Sequence, residues 1–545
     1  METNVLYYGD NLDVLRRHVR DESVDLVYLD PPFNSNADYN VLFAEHGEKA
    51  AAQVKAFTDT WTWDSEARAD YEEVVEAGGK VADTVRAFYT MLGGSDMMAY
   101  LARMSLRLVE LHRVLRPTGS LYLHCDPTAS HYLKLLLDAI FDPKNFRAEI
   151  IWERAGAHNM RVKGWARVND SLLFFTKTAA FTFNQLYTEY GVAQMKRYKA
   201  DENGRLYKAE NLTFSTVRRL RQFEWRGVRP PAHRSWGADL EQLEAWYAEG
   251  RILLKRDGTP RLDGFKVFLD ETKGKVIGTN WTDIPRIPNT SGERLGYPTQ
   301  KPLALMTRII ETSSNRGDVV LDPFCGCGTT IDAAQELGRR WIGIDITHLS
   351  MSLIKHRLVG RYGPEIAKTY RVIGEPTTVD DARVLAKEDP FQFQAWALGL
   401  VGARVAGSDK KGGDKGIDGR LYFHEGRSET RQIVFSVKAG HMVPNFVRDL
   451  RGVIEREKAE IGVLLSFEEP TAGMRSEAAE AGFYESPWGK HPRIQLLTIR
   501  ELLDGKGIDY PHITGSNVTL RRAKRARTEE AEALPLFGAD FVEDG

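Results

Sequence analysis

Short apolar runs alternate with amphipathic helical stretches near the start of the chain and again after about residue 290. Val5 to Tyr8 and Val24 to Leu29 are two such runs, with a helical segment between them. Helical spacing from Asp96 to Leu115 is followed by the apolar run Ser120 to Cys125. Strands that alternate with helices are typical of an α/β fold. The alternation fades between 180 and 290, which predicts an insertion.

Acidic residues follow the first two predicted strands. Asp10 comes shortly after the first strand, and Asp30 comes directly after the second. In a right-handed parallel unit both acids lie at one edge of the sheet, where open α/β sheets bind ligands. Asn11 is predicted to cap the intervening helix, and helix capping is also the competing role for Asp10.

Asp30, Pro31, Pro32 and Phe33 have the chemistry that an exocyclic amine of a DNA base requires. The lone pair of such an amine is delocalised into the ring. The Asp30 carboxylate and the Pro31 carbonyl can accept both amine hydrogens, which frees the lone pair for attack. Two prolines remove two N–H donors, and Phe33 offers a flat face to a base swung out of the helix. The competing interpretation is a tight turn stiffened by proline.

A second polar site lies in the segment 319–345. A predicted strand ends at Asp322, and a glycine-rich loop, a helix and a strand ending at Asp345 follow it. This order is typical of a nucleoside-binding half, in which Gly326 and Gly328 allow close approach to a ligand and Asp345 can hold ribose hydroxyls. The three-glycine phosphate fingerprint is absent, which favours a phosphate-free nucleoside such as S-adenosylmethionine over a dinucleotide.

The predicted insertion carries a basic segment with interleaved aromatic residues. From Thr216 to Arg234 there is one acid, Glu224, and Phe223 and Trp225 lie among the basic residues. Arginine suits phosphates and guanine edges, and aromatic faces suit unstacked bases. A solvated basic face with buried tryptophans is the competing interpretation. The candidate DNA-binding residues are Arg218, Arg219, Arg221, Arg226, Arg229 and Arg234.

Three motifs together resemble the amino-methyltransferases of DNA, in the order of their circularly permuted β class. The motifs are Asp30-Pro31-Pro32-Phe33, Pro298-Thr299-Gln300-Lys301-Pro302 and Asp322-Pro323-Phe324-Cys325-Gly326-Cys327-Gly328-Thr329-Thr330. The resemblance covers roughly residues 1 to 375. It implies a doubly wound, Rossmann-like sheet of about seven strands that binds S-adenosylmethionine.

The resemblance also implies roles for single residues. Asp30 and Pro31 would hold the target amine, with Phe33 stacked on the base. Asp in the first motif implies adenine N6 as the acceptor, and cytosine N4 stays open as the alternative. The residues implied at the cofactor are Asp10 at its adenine, Asp345 at its ribose, Lys301 and Pro302 at its methionine end, and Asp322, Pro323, Phe324, Gly326, Gly328 and Thr329 in the glycine-rich loop.

A different pattern begins after about residue 375. Asp418 precedes one predicted strand, and the adjacent predicted strand contains Ser436 and Lys438. The arrangement resembles the restriction-endonuclease fold, specifically its Mrr-like members, and implies Asp418 as a Mg²⁺ ligand and Lys438 as a residue that positions or activates water. Ser436 stands where that family has an acid or glutamine, and a hydroxyl is a weak Mg²⁺ ligand. Cutting, binding without cutting, and an unrelated α/β domain therefore stay open.

The composition restricts the partners, the cysteine chemistry and the cellular location that we expect. The formal net charge is −2, so any DNA contact must come from local basic patches. Cys125, Cys325 and Cys327 are too few for a disulfide framework, and no second cysteine pair or histidine cluster favours a metal there. No apolar run reaches the ~18 residues of a membrane span and no signal pattern is present, so we expect no membrane association and a cytoplasmic location.

These observations predict a site-specific methyltransferase for adenine in double-stranded DNA, within a restriction-modification or phage-defence system. A combined methyltransferase and Mg²⁺-dependent endonuclease and a non-catalytic DNA-binding protein are the alternatives. A homodimer and other restriction or defence subunits stay open as partners. The predicted parts are a catalytic half (1–180), a target-recognition region (181–290), a cofactor-binding half (291–375), an α/β restriction-endonuclease-like domain (385–510) and a flexible charged tail (511–545).

Overall fold

The protein is described by a computed structural model. The chain divides into two compact units, residues 1–184 with 279–545, and residues 185–278. Among the described residues no helix is both long and apolar enough to cross a membrane. The structure describes the chain apart from residues 1, 33–37, 46–47, 59–61, 156–163, 167, 289–290, 296, 298, 407–415, 426–428 and 512–545.

The first unit is built on a mixed sheet that has nine strands in the described part of the chain. In chain order they are β1 Val5–Tyr8, β2 Val24–Leu29, β3 Leu115–Cys125, β4 Phe146–Glu153, β5 Asn169–Thr176, β6 Asn280–Trp281, β7 Val319–Asp322, β8 Arg340–Asp345 and β9 Arg371–Ile373. Their order across the sheet is β6-β4-β5-β3-β2-β7-β8-β1-β9. Only β5 runs antiparallel to its neighbours. The implied count of about seven strands is wrong, because the short strands β6 and β9 extend the two edges.

Central strands of this sheet are nearly continuous apolar runs, because helices cover both faces of a parallel sheet. Every residue of β2 is buried. The polar exception, Asp25, accepts hydrogen bonds from the Val319 amide (2.9 Å) and from the Arg116 guanidinium (2.8 Å). Burial of this carboxylate is therefore compensated by bonds that tie β2 to β7 and to the start of β3.

Eight helices pack around the main sheet in the described residues. They are α1 Asn11–His18, α2 Ser65–Ala77, α3 Gly79–Leu92, α4 Asp96–Val114, α5 Ser130–Phe141, α6 Leu303–Ser313, α7 Thr329–Glu336 and α8 His348–Tyr362. The prediction that Asn11 caps α1 is wrong. Asp10 is the cap, and its carboxylate accepts from the Leu12 amide at 2.8 Å. A β-hairpin of Asp38–Glu45 and Glu48–Thr58 precedes α2.

The second unit, 185–278, has a small core of its own. Trp225, Trp236 and Leu243 are buried in it. Its secondary structure consists of a four-stranded sheet (Ile252–Leu254, Pro260–Phe268, Leu206–Glu210, Lys199–Ala200), the strand pairs Thr213–Phe214 with Ser235–Trp236 and Tyr187–Thr188 with Lys275–Val276, and the helices Val192–Met195 and Leu240–Ala248.

The C-terminal part of the first unit has a five-stranded sheet. Its strands are β10 Arg404–Val405, β11 Gly419–Glu425, β12 Glu429–Lys438, β13 Ile461–Ser466 and β14 Ile494–Thr498, in that order across the sheet. The first two pairings are antiparallel and the last two are parallel. Around them lie α9 Val379–Glu388, α10 Pro390–Leu400, α11 Asn445–Glu457, α12 Ala472–Glu480, α13 Ile499–Leu503 and the hairpin Phe483–Ser486 with Gly489–Pro492.

The C-terminal sheet shares its hydrophobic cluster with residues of α8 and of the segment before α6. Tyr297 precedes α6 and Leu353 lies in α8, whereas Phe393 and Trp396 belong to α10, and all four are buried in the same cluster. A polar contact accompanies this packing, because the His348 amide at the start of α8 donates to the Gln392 side chain of α10 at 3.1 Å. The C-terminal sheet is therefore packed against the helix that follows Asp345.

Candidate active site

Four acidic residues meet at the carboxyl edge of the main sheet. Asp10 and Asp30 follow β1 and β2, and Asp322 and Asp345 end β7 and β8. These strands are neighbours in the order β2-β7-β8-β1. Because parallel strands all end at the same edge, the four side chains converge where open α/β sheets bind ligands.

A cavity of about 270 Å³ opens at this edge. Asp30 and Phe324, from the two predicted loops, both line it, so the loops meet as the sequence analysis expected. Of the predicted site residues, the lining contains Asp10, Asp30, Pro31, Pro32, Lys301, Asp322, Pro323, Phe324, Gly326, Thr329 and Asp345. Pro302 and Gly328 are not among the lining residues, and they stand at the N-cap positions of α6 and α7. Phe33 lies outside the described residues.

The Asp30 carboxylate has one oxygen paired and one oxygen free. Its Oδ2 forms an ion pair with the Lys301 ammonium, and the two side chains are only 14% and 12% exposed. Its Oδ1 is buried and accepts no hydrogen bond in the described part of the protein. Buried polar atoms are nearly always hydrogen-bonded, so Oδ1 has acceptor capacity for a ligand.

The two acids that end β7 and β8 lie in surroundings that disfavour their charged form. Burial, together with the neighbouring Asp30 and Asp345 carboxylates, raises the pKa of Asp322 to about 7, against hydrogen bonds from Thr330 and the Phe324 amide. Burial also raises the pKa of Asp345. A cationic ligand would lower these pKa values again, because a nearby positive charge stabilises the ionised carboxylates.

Asp345 organises the glycine-rich loop as well as lining the cavity. Its carboxylate accepts from the Gly326 amide at 2.9 Å and from the Thr347 amide at 3.0 Å. Gly326 and Gly328 have φ of +49° and +74°, where side chains are strained. A Cβ at Gly328 would lie 2.7 Å from Ile354. The glycines are thus required by backbone conformation and packing, in addition to the ligand approach that the sequence predicted.

Arg107 of α4 is a cavity residue that the sequence analysis missed. Its guanidinium donates to Asp10 and to Asn11, both at 2.6 Å. Asn11 in turn donates to the Pro323 carbonyl at 2.8 Å. This network joins the loop after β1 to the loop after β7. The available signal was a lone arginine within the otherwise apolar stripe of a predicted helix.

Tyr28 of β2 is a second missed residue in the cavity wall. Its hydroxyl is hydrogen-bonded to His124 Nδ1 (3.0 Å), and His124 Nε2 lies 3.2 Å from Asp170. Arg154 completes the chain, 3.2 Å from the same carboxylate. Burial and then the Asp30 charge raise the pKa of Tyr28, so its hydroxyl stays protonated. These buried bonds fix the floor of the cavity beside Asp30.

Two further lining residues, Tyr297 and Ile346, bring apolar surface to the cavity. Tyr297 is buried, and its hydroxyl accepts from Ser350 Oγ at 3.4 Å. Ile346, directly after Asp345, also lines the cavity and is 60% exposed. The cavity therefore has apolar as well as acidic lining, as small-molecule sites usually do.

The six arginines predicted to bind DNA fall into two groups within unit 185–278. Arg221, Arg226, Arg229 and Arg234 all donate to protein acceptors of their own unit. Arg218 and Arg219 are exposed. The sequence could not separate these groups, because the acceptors of the first group are backbone carbonyls and the Glu244 carboxylate, which only the fold brings close.

In the C-terminal sheet, Asp418, Ser436 and Lys438 come together as their order predicted. Asp418 Oδ1 accepts from the Gln394 side chain at 2.9 Å. Its Oδ2 accepts from the Val437 amide (2.6 Å) and from Ser436 Oγ (3.3 Å), and Lys438 Nζ is 3.8 Å away. Both oxygens are therefore used by the protein itself. Among the described residues no group of three histidine, cysteine or acidic side chains could hold a metal ion.

Two family models match separate parts of the chain. Residues 24–356 match the model described as DNA methylase. Residues 391–504 match the model described as NACHT-associated inactive restriction endonuclease 1. The second match covers a small share of the chain and is a similarity of that segment only.

Several proteins are similar to the methylase-matching part. The type II methyltransferase M.EcaI of Enterobacter cloacae is 29% identical over 363 residues, which are 66% of this chain and 70% of that protein. The DNA adenine methyltransferase YhdJ of Escherichia coli is 24% identical over 367 residues, 67% of this chain and 86% of that protein. A DNA modification methylase of Thermus thermophilus, solved with S-adenosyl-L-methionine, is 18% identical with a TM-score of 0.30, and the match covers 65% of this chain and 95% of that one.

Proposed function

This chain belongs to the DNA methylase family, and we propose that it transfers a methyl group from S-adenosylmethionine to the N6 amine of adenine in double-stranded DNA. The observation that carries the proposal is the free Oδ1 of Asp30, a buried acceptor in the same cavity as Asp345. An exocyclic amine supplies the donor that this atom lacks. A flipped adenine would bring that amine into the cavity.

The cofactor side of the cavity fits a nucleoside with a positive charge. Asp322 is buried at a cost that a sulfonium would relieve, and Asp345 ends a strand where a ribose can be held. In the proposal Asp322, Phe324 and Gly326 hold the cofactor. When bound, S-adenosylmethionine supplies a methyl group made electrophilic by its sulfonium.

Asp30 and Pro31 act on the amine. Asp30 Oδ1 and the Pro31 carbonyl accept its two hydrogens, so the nitrogen lone pair turns out of conjugation and toward the methyl group. Lys301 fixes the other oxygen of Asp30 and thereby orients Oδ1. The main contribution to catalysis is alignment of the reacting atoms, which is sufficient for large rate effects.

The modified base is tested by expression in a methylation-free host, followed by modification-sensitive sequencing. We expect N6-methyladenine within one sequence context, and strongly reduced modification with Asp30→Ala as the control. Asp at the first motif position and the adenine-specific description of YhdJ support this expectation. N4-methylcytosine would overturn the choice of base. The absence of any modified base, with a folded protein that binds the cofactor, would overturn the methyl transfer itself.

We also propose that segment 385–510 does not cut DNA, and that the protein works in restriction-modification or phage defence. The cutting chemistry of restriction endonucleases needs acids that coordinate Mg²⁺, but Asp418 has both oxygens occupied and Ser436 replaces the second ligand. The similarity of residues 391–504 to an inactive endonuclease model supports the same conclusion.

The test of this second proposal uses supercoiled plasmid DNA incubated with the full chain and Mg²⁺, with and without S-adenosylmethionine. We expect the plasmid to stay supercoiled. Nicking that disappears in Lys438→Ala would contradict the proposal, because it would show a working metal site. Nicking that persists equally in Lys438→Ala would reveal a contaminating nuclease, and a repurified sample should then leave the plasmid intact.

A further inference from the structure

Seven consecutive residues of unit 185–278 are exposed, from Phe214 at the end of a short strand to Leu220 in the 3₁₀ turn Arg219–Arg221, and they are called the exposed loop here. Its apolar members Phe214, Val217 and Leu220 are 60%, 52% and 94% exposed. Arg218 and Arg219 stand next to them, and no acid lies between Asn211 and Phe223. Exposed apolar side chains next to arginines indicate a binding surface. A partner that fits it has negative charges for the arginines and apolar faces for the other side chains.

The exposed loop is held rigidly at its base. Ser235 Oγ accepts from the Arg218 amide at 2.6 Å, and Arg234 donates to the Thr213 carbonyl at 2.6 Å. Arg221 donates to the Gly237 carbonyl at 2.7 Å, which closes the far side of the loop. The side chains of Ser235, Arg234 and Arg221 therefore serve as supports, and the two arginines are ones that the sequence suggested as DNA contacts.

The apolar side chains of the exposed loop are also unnecessary for the core beneath them. Trp236 and Leu243 are fully buried, and Trp225 is 3% exposed. The Trp225 and Trp236 indole N–H groups are satisfied by Glu244 and by the Phe223 carbonyl. The core of the unit is buried and its tryptophan N–H groups are hydrogen-bonded without any contribution from Leu220. The core therefore does not explain why a leucine stands at this exposed position.

We propose that the exposed loop enters a groove of duplex DNA, where Arg218 and Arg219 contact phosphates and Leu220 packs as an apolar wedge against the bases. The proposal rests on the proposed function, since DNA is the substrate it assumes. Proteins that distort a duplex commonly combine arginine contacts with an inserted leucine or other apolar side chain. Base contact by Leu220 would make it a determinant of sequence context.

Binding is tested with a fluorescein-labelled duplex of mixed sequence over a series of salt concentrations. For Arg218→Ala combined with Arg219→Ala we expect weaker binding and a salt slope reduced by about 0.9 for each lost phosphate contact. The control removes two exposed arginines at the amino-terminal edge of the main sheet, in Arg20→Ala combined with Arg316→Ala, and should keep the wild-type slope. Equal losses in both double variants would overturn the phosphate assignment.

Leu220 is tested by methyl transfer to plasmid DNA and by sequencing of the modified sites. Leu220→Ala should lower kcat/KM about tenfold or relax the sequence context at one position, with an unchanged salt slope. Leu254→Ala, an exposed leucine of the same unit, is the matched control and should behave as wild type. Identical behaviour of the two leucine variants would overturn the wedge. A wild-type chain that binds duplex through the exposed loop but modifies no base would overturn the proposed function alone.

Discussion

Two aspartates of this protein have similar surroundings, but only one of them keeps a carboxylate oxygen that can accept a hydrogen bond from a ligand. Asp30 and Asp418 both lie next to a strand terminus, both have a lysine close by, and their side chains are 14% and 11% exposed. Asp30 keeps a buried oxygen without a donor, whereas Asp418 accepts hydrogen bonds on both oxygens. Residue type and burial therefore do not decide whether an acid can serve a ligand. The hydrogen bonds already made by the protein decide it.

The largest effect that follows from this comparison concerns Asp30→Ala. Its loss removes an acceptor aimed at the substrate, so we expect methyl transfer to slow by about a hundred- to a thousandfold, the size of effect seen when one oriented polar group is lost from an active site. Cofactor affinity should change by less than about twofold, since this acid faces the base in our proposal. Tritium transfer to DNA and calorimetry with S-adenosylmethionine measure the two quantities.

Asp30→Asn is the matched variant, because it keeps the size and one acceptor oxygen but loses the charge. Its rate should lie between those of wild type and Asp30→Ala. A full rate in Asp30→Ala would show that the free oxygen is not used, and the distinction between the two aspartates would then have no functional meaning.

The sequence was informative about Asp30 because its position follows from local rules. A buried strand ending in an acid, and a strand, glycine loop and helix, are patterns of neighbouring residues, and they predicted that Asp30 and Phe324 reach one edge of a parallel sheet. The α/β class of both sheets follows from the same periodicities. Eleven cavity residues within or near the recognised motifs were predicted for this reason, whereas Thr299, Gln300 and Thr330 of the same motifs were not.

Contacts between distant side chains could not be predicted in the same way. Arg107 donates to Asp10, which is 97 positions away in the chain, and Gln394 of helix α10 donates to Asp418, which precedes strand β11. Whether a carboxylate is free depends on such partners, which neither composition nor periodicity specifies. The short edge strands β6 and β9 were missed for a related reason, since two or three residues carry no periodic signal.

A smaller effect is expected at the other aspartate. Asp418→Ala would leave the Val437 amide without its carboxylate acceptor, whereas the Gln394 side chain would keep the Asp418 carbonyl at 3.2 Å. An unsatisfied donor costs about 1–3 kcal/mol, so we expect the local free energy of unfolding around β12 to fall by that amount, while methyl transfer well below the melting temperature stays near wild type. Hydrogen exchange of the β12 amides measures the first quantity. Unchanged hydrogen exchange of the β12 amides, or a loss of methyl transfer as large as that of Asp30→Ala, would contradict the proposed difference between Asp30 and Asp418.

The smallest effect concerns pH and the cavity acid Asp322. Its raised pKa, about 7, means that a large part of the cofactor-free protein holds a proton on this carboxyl below neutrality, and a cationic ligand must displace that proton. Affinity for S-adenosylmethionine should therefore increase as pH rises from about 6 to 8, by at most about tenfold per unit, and level off above the pKa. Asp345, whose pKa is also raised by burial, acts in the same direction.

Folding of the cofactor-free chain should show the opposite trend. Between the ordinary pKa of 3.8 and about 7 the folded state binds a proton that the unfolded state has released, so the free energy of unfolding falls as pH rises and becomes constant above about 7. Asp322→Asn should flatten both curves, apart from the share of Asp345, whereas Asp418→Asn should leave the cofactor curve as in wild type. Calorimetric titrations and thermal melts at matched pH values provide the two curves. If cofactor affinity and the free energy of unfolding instead changed in the same direction with pH in the wild-type protein, the cavity acids would not be the groups that bind a cationic ligand.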